Sequence, residues 1–230
     1  MSSLDETLGL LKQKARPDQL EGMARFGIRG EKRLGVSIPE LRRLARQIGN
    51  NHELALQLWD SGIEDARILA SMVDEPERVS VKQMEKWVYE FNSWDVCDQV
   101  CMNLFDRVPG IHQKVVEWAH REEEFVRRAA FSLMAIICVH DKKSPDEVFT
   151  AFFPLIKQGA LDERNYVKKA VSWALRNIGK RNLNLNRLAQ GIALEIQNQD
   201  TKPSRWIASD VLSELRKENV QKAIRKRRSV

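Results

Sequence analysis

The stretch "NSWDVCDQVC", residues 92–101, places one tryptophan, two aspartates and two cysteines within ten positions. On a helix, residues four apart share a face, whereas adjacent residues point about 100° apart. Trp94 and Asp98 therefore belong together, and Asp95 does not. With Ser93 as the N-cap, Asp95 falls in the first turn, where the helix dipole favours a carboxylate. Asp98 sits one turn deeper, among Val96, Cys97, Val100 and Cys101, and a carboxylate in such surroundings needs a partner. Arg128 is a candidate, in a buried salt bridge. The chemical alternative is that a fixed carboxylate beside an aromatic face stabilises positive charge as it develops and orients an attacking water.

A second set of residues could hold phosphates. "RR" at Arg127 and Arg128 and "KK" at Lys168 and Lys169 recur in similar contexts. Lys168 and Lys169, together with Arg164, Arg176, Lys180 and Arg181, give the stretch 160–182 six basic residues against Asp162 and Glu163, around Trp173. This reads as a phosphate-tracking stripe, or else as solvated helix faces balanced by nearby acids. His52, His112, His120 and His140 show no ligand spacing such as HExxH, and glycine-rich phosphate loops are absent. Cys97, Cys101 and Cys138 are odd in number without a CxxC pair, so they read as small apolar fillers. No metal or organic cofactor is expected.

These residues must be positioned by helices. Periodic apolar segments are separated by breaks such as "GNN" at 49–51 and "VPG" at 108–110, and no strand or hairpin signal competes. "SIPE" at 37, "SVKQ" at 80 and "SPDE" at 144 have the pattern of capping boxes. "FVRRAAFSLMAI" from 125, "YVKKAVSWALRNI" from 166 and "RWIASDVLSEL" from 205 align Phe125, Tyr166 and Trp206 at intervals of 41 and 40. A period near 40 in helical sequence predicts a HEAT-like all-α superhelix, a curved solenoid of roughly five or six helix pairs. Equivalent positions in its repeats are expected to line one surface. No linker divides the chain, so residues 1–230 are expected to form one domain.

The formal charge is +6, and it resides in the tail: residues 216–230 carry seven Lys or Arg against one Glu, leaving thirty-one of each sign elsewhere. The tail reads as a nucleic-acid contact or as a solvated end. The opening residues lack the features of a secretory signal, and the longest apolar run is far below the roughly 20 residues of a membrane span, so a cytoplasmic location is expected.

The chain resembles the AlkD-type alkylpurine DNA glycosylases, HEAT-like solenoids. "LGVSIPELRRLARQI" at 34–48 is similar to the family's N-terminal helix entry, "WDVCD" to its Trp-Asp-x-x-Asp motif, "FVRRAA" to its arginine helix and "KKAVSWALR" to its second tryptophan helix. Ser93 stands where the family often has a second tryptophan, and Phe26 where it has a tyrosine. The resemblance implies Asp98 as the catalytic carboxylate, Trp94 and Trp173 as aromatic walls and Arg128 as the cation beside them. It implies excision of cationic N3- or N7-alkylated purines from double-stranded DNA in base excision repair, by a monomer with no obligatory protein partner, nucleoid-associated when bound. Relatives of this group also include proteins that bind unusual DNA structures without excising bases, which is the alternative reading.

Overall fold

The computed structural model describes residues 3–28 and 30–226, and all regular structure among them is helical. In chain order the helices are α1 (Leu4–Gln13), α2 (Leu20–Arg25), α3 (Ile38–Ile48), α4 (His52–Asp60), α5 (Glu64–Val73), α6 (Val81–Tyr89), α7 (Trp94–Asn103) and α8 (Ile111–Ala119). They continue with α9 (Glu124–His140), α10 (Asp146–Thr150), α11 (Phe153–Gly159), α12 (Asn165–Gly179), α13 (Leu183–Gln197), α14 (Lys202–Leu215) and α15 (Glu218–Lys226). The chain divides into two compact units, Met1–Ile111 and His112–Val230. No described helix is long and apolar enough to cross a membrane.

In the first unit α5 packs against α1, α3, α4 and α7. The rings of Trp59 on α4 and Trp87 on α6 stack 4.1 Å apart and nearly parallel. The indole N–H of Trp59 is satisfied by Glu90 Oε2 at 2.7 Å, and the Arg67 guanidinium lies 4.9 Å from its ring centre while pairing with the same carboxylate. Burying an indole here thus leaves no polar atom of it unmatched. Asp65, on the first turn of α5, accepts the Leu34 and Val36 backbone N–H groups, each at 2.7 Å, and so anchors the segment leading into α3.

In the second unit α12 packs along α9 and also against α13 and α14. Side chains staple each repeat to the backbone of another: Arg128 donates to the Tyr166 carbonyl at 2.6 Å, Asn177 to that of Ala135 at 3.0 Å, and Gln199 to that of Lys157 at 2.9 Å. Arg181 donates to the carbonyls of Cys138, Asp141 and Ser144, capping the C-terminal end of α9, where helical carbonyls lack intrahelical partners. Its guanidinium also lies 4.0 Å from the Phe149 ring centre.

The expected caps are partly realised. Ser37 and Ser80 accept the N–H of Glu40 and Gln83, but those side chains turn elsewhere, to Arg43 and Asp74. Ser144 caps nothing: α10 starts after Pro145, because Asp141 gathers the N–H groups of Lys143 and Ser144 into a tight loop. Reciprocal boxes form instead at Ser3 with Glu6 and at Thr201 with Ser204. The basic tail is not simply a solvated end. Residues 218–226 form α15, which buries Ile224 and bonds Gln221 to Asn186 and to the Leu215 carbonyl; residues 227–230 of the tail lie outside the described residues.

Candidate functional site

Trp94 and Asp98 share one face of α7, as their spacing predicts, and the surroundings treat them differently. Trp94 is half-buried, and its indole N–H donates to the Phe26 carbonyl at 3.1 Å. The Phe26 side chain is itself 77% exposed, so two aromatic groups are presented at the start of α7. Asp98 is only 9% exposed, and its neighbours along α7, Val96, Cys97, Val100 and Cys101, are fully buried. Burial, above all, pushes the Cys101 thiol well above its ordinary pKa, with Cys97 and the Asp98 charge adding to the effect. The cysteines are core fillers, and no disulfide occurs among the described residues.

Asp95 has a structural role more specific than a dipole contact. It forms a two-pronged ion pair with Arg33, at 2.9 and 3.0 Å, with the two side chains 3% and 13% exposed. Ser93 occupies the N-cap position but does not cap the helix. Its hydroxyl donates to Asp95 Oδ1 at 2.5 Å. The pair fixes the segment around Arg33 to the start of α7, and with it the mount of Trp94. Sequence reasoning missed Arg33, which lies 62 positions from its partner and in no motif.

Arg128 and Trp173 lie in the second unit, on α9 and α12. Arg128 is buried and Trp173 is half-buried. The repeated basic pairs do not share one environment: Arg128 is covered, whereas its equivalent Lys169 is exposed. Arg127 donates to the Ala119 carbonyl and pairs with Asp162 at 3.2 Å. Arg176 faces Asp210 at 3.4 Å, and Lys180 pairs with Glu214 at 2.5 Å. With Arg181 used as a staple, four of the six expected phosphate contacts are engaged by groups of this unit. Among the described residues Lys168 and Lys169 form no ion pair. The Lys168 ammonium lies 4.8 Å from the ring centre of Trp206, which is 40% exposed. The aromatic interval of the sequence is visible here too, since the Phe125 and Tyr166 rings stack 5.5 Å apart.

Helical repeats of this kind define a HEAT-like all-α protein. A solved structure described as "a new family of proteins related to the HEAT-like repeat DNA glycosylases with affinity for branched DNA structures" superimposes with a TM-score of 0.74, at 17% identity, over 84% of this chain and 83% of that one. An engineered protein (16% identity, 94% and 99% coverage, TM-score 0.43) and a designed armadillo repeat protein in complex with a (KR)4 peptide (14%, 98% and 87%, TM-score 0.41) are also similar. No curated protein matches the sequence. The model of the DNA alkylation repair enzyme family matches residues 8–189, and the chain belongs to that family.

Proposed function

We propose that the protein is a DNA glycosylase that hydrolyses the N-glycosidic bond of cationic N3- or N7-alkylated purines in double-stranded DNA. The observation that carries this reading is the buried carboxylate of Asp98 one helical turn from the half-buried, carbonyl-braced ring of Trp94, in a chain of the DNA alkylation repair family. An alkylated purine already carries positive charge. It leaves with the electrons of the glycosidic bond and becomes neutral, so it needs little help from an acid. What needs stabilising is the sugar, where positive charge develops at C1′ until water adds and gives up a proton. A carboxylate about 4 Å from that carbon contributes about 4 kcal/mol at an effective dielectric near 20, or about a thousandfold in rate. A tryptophan face at Trp94 would add roughly 0.5–2 kcal/mol against the cation. In this reading Lys168 and Lys169 track phosphates, and the protein acts as a cytoplasmic monomer.

The second reading, a non-catalytic binder of branched or damaged DNA, is favoured by the relative with affinity for branched DNA. The two part on one assay, release of free base from methylated duplex DNA. The wild type is expected to release N7-methylguanine or N3-methyladenine and little uracil. Asp98→Asn is expected to slow release by about a hundredfold or more, with duplex affinity kept. Unchanged excision in a folded Asp98→Asn variant removes the catalytic role, and no release by the wild type leaves the binder.

A further inference from the structure

The aromatic position that recurs through the second unit ends differently from how it begins. Phe125 on α9 and Tyr166 on α12 stack on each other, 5.5 Å and 28° apart, so each ring helps to cover the other. Trp206 on α14, third in the series, is 40% exposed and meets no ring among the described residues, only the Lys168 ammonium 4.8 Å from its ring centre. Its indole N–H has no protein partner among the described residues, whereas those of Trp59 and Trp94 are bonded. The surface here thus carries a flat π-face with a free donor on its rim.

The charges beside this ring are lysines. Lys202 lies one turn before Trp206 on α14 and so shares its face, and Lys169 follows Lys168 on α12. Among the described residues none of the three lysines forms an ion pair. The acids nearest Trp206 along the chain are spent: Asp200 on Arg205 at 2.6 Å, and Asp210 on the Ser172 hydroxyl at 2.5 Å and on Arg176 at 3.4 Å. Ahead of α12, Asp162 is taken by Arg127 and Arg164, and Glu163 is exposed. An aromatic face flanked by unpaired ammonium groups suits a nucleotide whose base is unpaired, because the base stacks on the ring and the phosphates meet the lysines. A base inside a duplex has both faces stacked on its neighbours and has to leave the stack to do this. An acidic peptide satisfies the lysines but brings no flat partner for the indole.

We propose that Trp206 is a stacking platform for an unpaired nucleotide of single-stranded DNA, with Lys168, Lys169 and Lys202 neutralising the flanking phosphates. The polymer follows from the DNA alkylation repair family, and the assignment needs no base excision. The probe is a labelled oligothymidylate of about twelve nucleotides, set against an abasic strand of the same length that keeps the phosphates and lacks the bases. Fluorescence anisotropy is expected to show about tenfold tighter binding of the strand with bases. Trp206→Ala is expected to bring that ratio to about one, and Trp206→Phe to keep most of it. Replacing the three lysines by alanine should weaken both strands and flatten the log–log salt dependence by about two. No preference for bases in the wild type, a preference kept in Trp206→Ala, or an unchanged salt slope in the triple variant overturns the assignment. An oligouridylate of the same length is expected to bind no more tightly, and tighter binding of it would give the site to RNA instead. Base-dependent strand binding without release of methylated purines keeps this site and removes the glycosylase, while release without base-dependent binding does the reverse.

Discussion

At the scale of single residues, two aspartates three positions apart perform different tasks because their surroundings differ. Asp95 is spent on Arg33, whose guanidinium it meets with both oxygens, and Asp98 is buried one turn deeper in α7. Removing one partner of a buried pair strands the other charge, which typically costs about 3–5 kcal/mol. Arg33→Met is therefore expected to lower the urea midpoint of the first unit by an amount equivalent to about 3 kcal/mol. Adding Asp95→Asn to it should recover part of that loss. A single Arg33→Met variant as stable as wild type would mean that the pair is dispensable. The tryptophans sort in the same way: Trp59, Trp87 and Trp118 are fully buried, Trp94 and Trp173 are half-buried, and Trp206 is the most exposed of the three outer ones.

At the scale of elements, ion pairs tie helices of neighbouring repeats. Lys180, at the C-terminal end of α12, reaches Glu214 on α14, and Lys217 shares the same carboxylate. These contacts, with Lys180 foremost, hold the Glu214 carboxyl down from an ordinary 4.5 to about 2. The folded value lies below the unfolded one, so the stabilisation is present above about pH 4.5 and disappears as the pH falls toward 2. Partial exposure limits it to about 1 kcal/mol. Glu214→Gln is expected to lower stability by about that amount at neutral pH and by almost nothing near pH 2, measured as urea midpoints across the series. An equal loss at both ends of the series would assign the effect to packing instead.

At the scale of the molecule, charge count and charge availability separate. The +6 of the chain suggests a polyanion partner, yet Arg127, Arg164, Arg176, Lys180 and Arg181 all face acids or carbonyls of their own unit. Of that stripe Lys168 and Lys169 remain, Lys168 with its ammonium over the exposed Trp206. If they carry the duplex, the double variant Lys168→Ala and Lys169→Ala should weaken binding and flatten the log–log salt dependence by about two charges. Arg181→Ala should instead lower the melting temperature and leave the slope alone. The opposite pattern would put the DNA on another surface. Deleting residues 227–230 tests the tail without removing Ile224, which α15 needs for its docking.

What the sequence determined by itself was whatever depends on neighbours along the chain. The 3.6-residue period gives the helices, the interval near 40 gives the repeats that begin near Phe125, Tyr166 and Trp206, and the i, i+4 rule puts Trp94 and Asp98 on one face. The tertiary structure decided which members of a chemically identical set are used up by packing. Arg127 and Lys168 occupy the same repeat position, but one meets Asp162 and a carbonyl while the other meets an exposed indole. Asp95 finds its partner 62 residues away, and Glu64 Oε2 finds none among the described residues, facts that no local pattern encodes. Burial and charge pairing depend on which distant segments meet, and the energy of a polar group depends on them far more than on its place in the sequence.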